Sequence, residues 1–206
     1  FPRVLFPIQL GDIFKYAVPK TKISAGWDYY NRSQLYNLIS YTTTFGYQWN
    51  ENKYVYHELN PISISYVNPS NITPEFEQIL EDNPYLRSSF EQQFIAGLTY
   101  TFTYNELVDS KIKNPIYFST NFDTAGNLID LFAKDHDNDG INTLLGLEYS
   151  QYIKADIDFR YYFKPGDSQF LIGRIYAGMG LPYGNSATMP YSQQFFSGGP
   201  YSVRSF

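Results

Sequence analysis

The sequence predicts an all-β protein, an antiparallel transmembrane β-barrel with a short helix in one extracellular loop. Aromatic residues make up 19% of the 206 residues, with 21 Tyr and 17 Phe, yet the mean hydropathy is only −0.36. Apolar and polar residues also alternate with a period of two in seven stretches of the chain. In a membrane barrel only alternate residues face lipid, and aromatic side chains collect at the two interfaces. High aromatic content and low hydropathy are therefore expected together.

The composition excludes several classes of function. The formal net charge is −5 and the isoelectric point is about 5.0, whereas nucleic-acid binding requires a basic surface, so we expect no nucleic-acid partner. The chain has no cysteine, which excludes disulfide scaffolds and zinc-thiolate sites. The sequence contains no run of about 18 apolar residues, so it predicts no transmembrane helix. We predict no cofactor.

Seven alternating stretches predict seven strands, each with one apolar and one polar face. They lie at about 21–29, 38–49, 54–66, 92–105, 115–129, 143–163 and 170–182. In the second stretch, for example, Tyr41 and Phe45 share one face, and Thr42 and Thr44 share the other. Pro61 in the third stretch predicts a bulge or an edge position.

Two further segments do not alternate. Residues 1–20 contain three prolines and no steady period, which predicts a connection. Between the third and fourth strands, Thr73 and Pro74 form a helix start, with a hydroxyl N-cap and proline at the first helical position. Asn83 and Pro84 end this short helix, for which packing over the strand ends is the expected role.

The polar face of the sixth predicted strand carries charges of both signs. Such charges at alternate positions along some twenty residues are difficult to accommodate in a soluble core, and a soluble sandwich rarely has strands this long. A barrel instead places lipid outside and a polar, charge-paired wall inside. We predict six lumen-wall charges: Glu148, Lys154, Asp156, Asp158, Arg160 and Arg174.

The loop lengths predict an orientation. The turns at 51–53 and 165–167 are short, as periplasmic turns are, which places the 67–91 loop, the loop containing Asp135 and the final stretch outside the cell. Seven is an odd number, and an antiparallel barrel of this kind cannot close with its two ends at opposite rims. We therefore expect further strands upstream, downstream or both.

The final stretch, FFSGGPYSVRSF, carries the most specific motif. It resembles the signature loop of the BamA/TamA superfamily of outer-membrane assembly factors, in which an aromatic-x-Gly-Gly segment leads to a Val-Arg-Gly-aromatic tip. The matching residues are Phe195, Phe196, Gly198, Gly199, Ser202, Val203, Arg204, Ser205 and Phe206. Ser205 stands where the family usually has glycine, and this departure favours the TamA-like lipoproteins called TamL.

The resemblance implies both architecture and function. It makes the chain similar to strands five to eleven of a sixteen-stranded barrel, with residues 1–206 in one domain, 21–182 as strands and 183–206 as the signature extracellular loop. It implies that Arg204 folds into the lumen and pairs with a carboxylate of the wall; the alternative is a solvated loop arginine. The implied function is protein insertion or translocation at the outer membrane of a Gram-negative bacterium. Lipid, client outer-membrane proteins and periplasmic or inner-membrane assembly proteins are the implied partners.

Metal binding and catalysis have little support in the sequence. Asp135, Asp137 and Asp139, followed by glycine, match the first half of a calcium loop, but position twelve is Gly146 rather than a bidentate glutamate, so we expect a solvated loop. The two histidines stand in no catalytic arrangement, and we predict that the protein is not an enzyme. A small outer-membrane or secreted β-domain with a binding or structural role is the alternative function.

Overall fold

The main element of the fold is a single seven-stranded antiparallel sheet. The computed structural model describes residues 19–32, 35–84, 87, 93–130, 135–136, 142–144, 147–166 and 169–195. The seven strands are β1 (Lys20–Arg32), β2 (Tyr36–Asn50), β3 (Val55–Ser70), β4 (Gln93–Asn105), β5 (Ile116–Ala125), β9 (Tyr152–Gly166) and β10 (Gln169–Pro182). They pair in this order, so that each strand lies beside its predecessor in the sheet and β1 and β10 form its edges. The predicted all-β antiparallel fold is confirmed.

The strand register places the alternating residues on the predicted faces. Gln48 lies opposite Lys20 on β1 and opposite Glu58 on β3, so polar residues continue across three strands. At the other end of the sheet, Asp156 lies between Asn121 on β5 and Gly178 on β10. The result is one continuous polar face and one continuous apolar face, because neighbouring strands in register present the same face at paired positions.

A bulge in β3 maintains these two faces, and Pro61 is its cause. The register of β3 shifts against β4 between Asn60 and Ser63, and its pairing with β2 shifts at the same place. Before the bulge the polar residues of β3 have even numbers, as at Glu58, and after it they have odd numbers, as at Ser65. One extra residue is therefore needed to keep both sets on the polar face. The predicted bulge at Pro61 is confirmed.

The fifth and sixth strands are shorter than the sequence predicts. β5 ends at Ala125 because Gly126 has a φ of 81°, and the helix α2 (Asn127–Asp130) follows. The predicted strand at 143–163 is wrong in its first part. A separate three-stranded sheet contains β6 (Asp135–His136), β7 (Asn142–Leu144) and β8 (Leu147–Glu148), and the long strand β9 starts only at Tyr152.

Backbone bonds to other parts of the chain explain this interruption. The Ser150 amide donates to the Phe94 carbonyl oxygen of β4, and the Gln151 amide donates to the Ser186 hydroxyl. The backbone between β8 and β9 is therefore bonded to a strand and to a loop that are both distant in sequence. It cannot at the same time continue the β9 ladder.

The helix α1 (Pro74–Asp82) forms as the sequence predicts. Thr73 is its N-cap, and the Thr73 hydroxyl accepts a hydrogen bond from the Phe76 amide. Phe76 and Leu80 are buried against Tyr36 at the start of β2, with the Tyr36 and Phe76 rings 5.0 Å apart. The helix therefore covers one end of the sheet. None of the described helices combines the length and apolar character needed to span a membrane.

The N-cap of α1 supplies a test of this local structure. Replacing Thr73 with Ala removes the side-chain acceptor of the Phe76 amide and is expected to destabilise the helix by about 1 kcal/mol. Hydrogen exchange of the Phe76 amide should accelerate accordingly. Thr73→Ser keeps the hydroxyl and should preserve most of the protection; equal acceleration in both variants would contradict the capping role.

Candidate functional site

The polar face of the sheet is connected by side-chain hydrogen bonds from β1 to β4. The Lys22 ammonium donates to Glu58 Oε1 at 2.7 Å, and the Tyr56 hydroxyl donates to Glu58 Oε2 at 2.8 Å. The Asn60 amide nitrogen donates both to Glu58, at 3.2 Å, and to the Thr99 hydroxyl, at 2.9 Å. Buried or half-buried polar groups need such partners, and most are supplied here across the strands, although the buried Asn60 Oδ1 has none among the described residues.

Lys22 reaches Glu58 across β2 because Gly46 leaves room between them. Gly46 is the register partner of Lys22, and Glu58 is on the next strand along. A Cβ at Gly46 would lie 2.6 Å from the Leu59 carbonyl oxygen and 2.9 Å from the Asn60 Cα. The space beside the bulge therefore accepts no side chain at this position.

A second set of bonds crosses from β4 to β9. The Thr101 hydroxyl donates to Asn121 Oδ1 at 2.8 Å, and the Asn121 amide nitrogen donates to Asp156 Oδ1 at 2.9 Å. These residues border a cavity of about 250 Å³ on the polar face. Its lining also includes Asp123 and Lys154.

Asp158 accepts hydrogen bonds from two arginines on the polar face. Arg160 donates to its two carboxylate oxygens at 3.1 and 2.6 Å, and Arg174 donates to the same oxygens at 3.1 and 2.9 Å. Asp158 is only 8% exposed. Both guanidinium groups also lie over aromatic rings, Arg160 over Tyr117 and Arg174 over Tyr176. Asp158 thus accepts bidentate hydrogen bonds from two cations, and a second carboxylate, Asp156, lies two residues before it on the same face.

The opposite face is apolar and uncovered. On β9 most odd-numbered residues are exposed, for example Ile157 at 42% and Phe163 at 41%, whereas Tyr152 on the polar face is 1% exposed. Most of the large exposed hydrophobic residues of the main sheet belong to this apolar face. Among them are Ile23, Trp27, Tyr29, Tyr41, Ile62, Phe122, Ile153, Ile175, Met179 and Leu181. The polar, charged face of the sheet is therefore better covered than its apolar face.

Part of the polar face is covered by the segment that follows β10, residues 183–195. The Tyr183 amide donates to the Gln151 carbonyl oxygen at 3.1 Å, and the Asn185 amide donates to the Gln151 side chain at 2.6 Å. The Asn185 side chain donates to the carbonyl oxygens of Asn142 and Tyr149. These bonds reverse the chain direction immediately after β10.

Residues 183–195, the returning segment, then contact both halves of the sheet. Met189 packs with Tyr152 of β9, and Tyr191 packs against the cluster around Tyr36 of β2. Four residues later, the Phe195 ring lies against Tyr176 of β10. These contacts place the returning segment across the polar face of the sheet, from β2 to β10. We call this covered polar face concave and the uncovered apolar face convex, as in the wall of a barrel.

Phe195 occupies a closely fitted position on this concave face. The Lys154 ammonium lies over its ring, 4.4 Å from the centroid, and the Tyr176 ring meets it edge-on at 6.4 Å. Gly178 lies beneath the ring: a Cβ built there would be 2.6 Å from Phe195 Cζ. The first residue of the motif identified in the sequence is thus in direct contact with the wall of the sheet.

The turns at the opposite end of the sheet are tied by a separate ion pair. The Lys53 ammonium, between β2 and β3, donates to Asp109, between β4 and β5, at 2.5 Å. The bond from Lys53, with further bonds from the Tyr54 hydroxyl and the Lys111 amide, lowers the pKa of Asp109 to about 2. The same contact with Asp109 raises the pKa of Lys53. Both groups are therefore charged throughout the physiological range.

The predicted site residues fall into three groups. Lys154, Asp156, Asp158, Arg160 and Arg174 lie together on the polar face of β9 and β10. Glu148 does not join them, because it is an exposed residue of β8 in the small sheet. Of the signature motif only Phe195 is described; the others, Phe196, Gly198, Gly199, Ser202, Val203, Arg204, Ser205 and Phe206, lie outside the described residues.

The candidate calcium loop is only partly described. Asp135 belongs to β6, while Asp137 and Asp139 lie outside the described residues. Where the structure does describe the chain, it contains no group of three or more acidic or histidine residues that could hold a metal ion.

Several residues of the polar face were not identified from the sequence. Lys22 and Glu58 pair across an intervening strand, and Gly178 has a role only because Phe195 returns to it. The available signal was weak: Gly178 and Gly180 both interrupt the polar side of an otherwise bulky strand. Close approach of another part of the backbone is one meaning of glycine in a strand.

An antiparallel sheet with an apolar convex face, a charged concave face and a chain segment folded onto that concave face is typical of outer-membrane barrel proteins. A comparison with protein-family models agrees with this class and specifies it: residues 17–206 match the Omp85 superfamily domain. The chain belongs to the Omp85 superfamily. This is the superfamily of BamA and TamA, so the resemblance noted in the sequence is confirmed at that level. Searches of curated proteins and of solved structures found no match.

Membership places the chain in a known functional class. Omp85 proteins reside in the outer membrane of Gram-negative bacteria, where they insert or translocate proteins and work with client outer-membrane proteins and lipid. We take the contacts of the concave face as the candidate functional elements of the chain.

Asp158 offers a test of the concave wall. Asp158→Asn leaves the Arg160 and Arg174 guanidinium groups without their shared counter-charge and is expected to lower the free energy of unfolding by roughly 1–3 kcal/mol, since both arginines are partly exposed. Urea unfolding in phospholipid vesicles measures this loss. Asp28→Asn changes an exposed carboxylate on the same face and is the matched control; an equal effect of the two substitutions would exclude a specific role for Asp158.

Proposed function

We propose that this chain forms part of the wall of a transmembrane β-barrel that inserts or translocates other outer-membrane proteins. The observation that carries the proposal is the two-faced sheet: its convex face exposes apolar side chains such as Trp27 and Met179, and its concave face satisfies its charges internally. Water on both sides would leave the convex face as an extensive unprotected apolar patch, which soluble monomeric proteins rarely expose. Lipid on the convex side removes the free-energy cost of exposing these apolar side chains to water.

The proposed mechanism makes and breaks no covalent bonds. An incoming client strand pairs by β-augmentation with an open strand edge at a lateral seam between the first and last strands of the complete barrel. By resemblance, the strands described here correspond to the middle of such a barrel, from the fifth to the eleventh. Their part in the mechanism is to form a wall of fixed curvature, so that the seam opens while the remainder of the barrel keeps its shape. In this proposal the protein is not an enzyme.

The signature loop is proposed to brace this wall from within. The returning segment already lies on the concave face at Met189 and Phe195. We propose that the chain beyond it carries Arg204 into the lumen, where the guanidinium pairs with a wall carboxylate, because a partly dehydrated guanidinium requires a bidentate acceptor. Ser205, in place of the usual glycine, supports a TamA-like role of the TamL type.

Lipid exposure of the convex face can be tested with spin labels, since the chain contains no cysteine. Ala25 and Asp28 are both exposed residues of β1 but lie on opposite faces. In the protein reconstituted in phospholipid vesicles, a label at Ala25→Cys should collide preferentially with oxygen, which concentrates in the bilayer. A label at Asp28→Cys should collide preferentially with a water-soluble nickel complex. Equal access of the nickel complex to both positions would indicate the alternative, a β-domain with water on both faces.

The bracing role of Arg204 predicts a loss of function on its removal. Arg204→Ala is expected to destabilise the barrel by roughly 3–5 kcal/mol if its carboxylate partner is left buried and unpaired, and to reduce insertion of a client barrel protein into vesicles. Arg87→Ala removes an exposed arginine from the long β3–β4 loop and is the matched control. Client insertion that is the same for wild type and Arg204→Ala would refute the proposed brace.

A further inference from the structure

Phe195 is the point at which the returning segment is fixed to the wall. We propose that Phe195 is a positioning residue, held in a seat formed by Gly178, Tyr176 and Lys154, and that this seat fixes the end of the returning segment on the wall. The inference deepens the proposed function and rests on it for its biological meaning. The seat itself is defined only by contacts between described residues.

Gly178 gives the seat its depth. A Cβ at this position would lie 2.6 Å from Cζ and 2.9 Å from Cε1 of the Phe195 ring, closer than carbon atoms approach in folded proteins. The ring can reach the strand backbone only because residue 178 has no side chain. An alanine at this position would lift the ring off the wall without altering the hydrogen bonds of β10, whose ladder partner at this position is Asp156.

Gly173 is a control for Gly178, because a methyl group at position 173 would touch nothing. It lies on the same strand but on the convex face, and a Cβ built there meets no atom within 4 Å. Substitution of either glycine by alanine adds the same methyl group to the same strand. Only substitution at Gly178 adds it beneath Phe195, so that the two variants form a matched pair.

Lys154 and Tyr176 fix the orientation of the Phe195 ring. The Lys154 ammonium lies over the ring face, 4.4 Å from the centroid, and Tyr176 presents its ring to Phe195 at an interplanar angle of 75°. A cation attracts the negative face of an aromatic ring, and an edge-to-face pair fixes the tilt of the ring. Together with the close floor at Gly178, these contacts restrain the ring from three sides. Phe195 as a whole remains 39% exposed.

The seat is continuous with a second contact of the same kind. Met189 lies over Gly180, where a Cβ would be 3.0 Å from the methionine methyl carbon. The flexible methionine can move aside for a methyl group, whereas the rigid phenyl ring can only be displaced as a unit. We therefore assign the positioning role to Phe195, with Met189 as a supporting contact that tolerates change.

The test uses a spin label at Ser192→Cys, an exposed residue of the returning segment three positions before Phe195. In the full protein in vesicles, the label spectrum reports whether the segment is held or free. Gly178→Ala and Phe195→Ala should each lose most of the immobilised component, and Gly173→Ala should keep it. The double variant Gly178→Ala with Phe195→Ala should resemble Phe195→Ala alone, because the methyl group at 178 has no effect once the ring is absent.

Lys154 variants examine the charge contribution. Lys154→Gln should increase the ratio of mobile to immobile label about two- to tenfold, which corresponds to the usual strength of a cation over a ring. Lys154→Arg retains a cation and should restore most of the immobilised component. A general loss of structure would not be rescued by arginine in this way, so the pair distinguishes positioning of the ring from simple wall stability.

Two results would overturn the inference. One is an equal spectrum for Gly178→Ala and Gly173→Ala; the other is strictly additive changes in the double variant. Because Phe195 lies outside the strands, Phe195→Ala tests the seat even if Gly178→Ala does not assemble, and heat-dependent migration on gels verifies that each barrel is folded. Client insertion is measured on the same samples: a freed segment with normal insertion would contradict the proposed bracing function and leave the seat established.

Discussion

The structure depends on one geometric constraint, the alternation of side chains along paired β-strands. Each register choice assigns every residue of a strand to one face, and a slip of one residue would move all charges to the apolar side. The bulge at Pro61 shows how strictly this is maintained. The sequence of β3 changes the phase of its alternation there, and one extra residue realigns Asn60 and Ser63 with the polar residues of both neighbouring strands.

The hydrogen bonds between polar side chains of the concave face follow from that constraint. Once the polar residues of adjacent strands share a face, side chains that are register partners or diagonal neighbours come within hydrogen-bonding distance. Asn121 can then connect Thr101 to Asp156, and Asp158 can accept from arginines on two strands. Neutral amides and hydroxyls fill the middle of the sheet, while the ion pairs lie toward its two edges.

Most of the fold could be predicted from the sequence because its determinants are local. Alternation indicated the seven strands, and Thr73 with Pro74 indicated the start of α1. The small sheet and the late start of β9 could not be predicted in this way. They depend on bonds such as that from Asn185 to the Asn142 carbonyl oxygen, 43 residues away, and such a contact leaves no periodic trace in the sequence.

The candidate site was predictable to a similar extent. The charges on β9 and β10 were visible as a polar face, but their partners depend on register and on side-chain reach, which alternation does not specify. Glu148 illustrates the limit: it stands in phase with Lys154, yet the chain between them leaves the ladder. The seat of Phe195 was not predictable. Phe195 contacts β10, the strand just before it in the sequence, only because the chain reverses direction after that strand.

The attachment of the returning segment also sets an order of events during folding. Its contact with the Tyr36 cluster requires β2 and β10 to be in the same sheet, because Tyr36 and Tyr191 are 155 residues apart along the chain. Contacts between residues so far apart form late, because a long loop must close first. Until then the concave wall stands open and its charges are hydrated. The returning segment is therefore expected to join the polar face after the seven strands have paired.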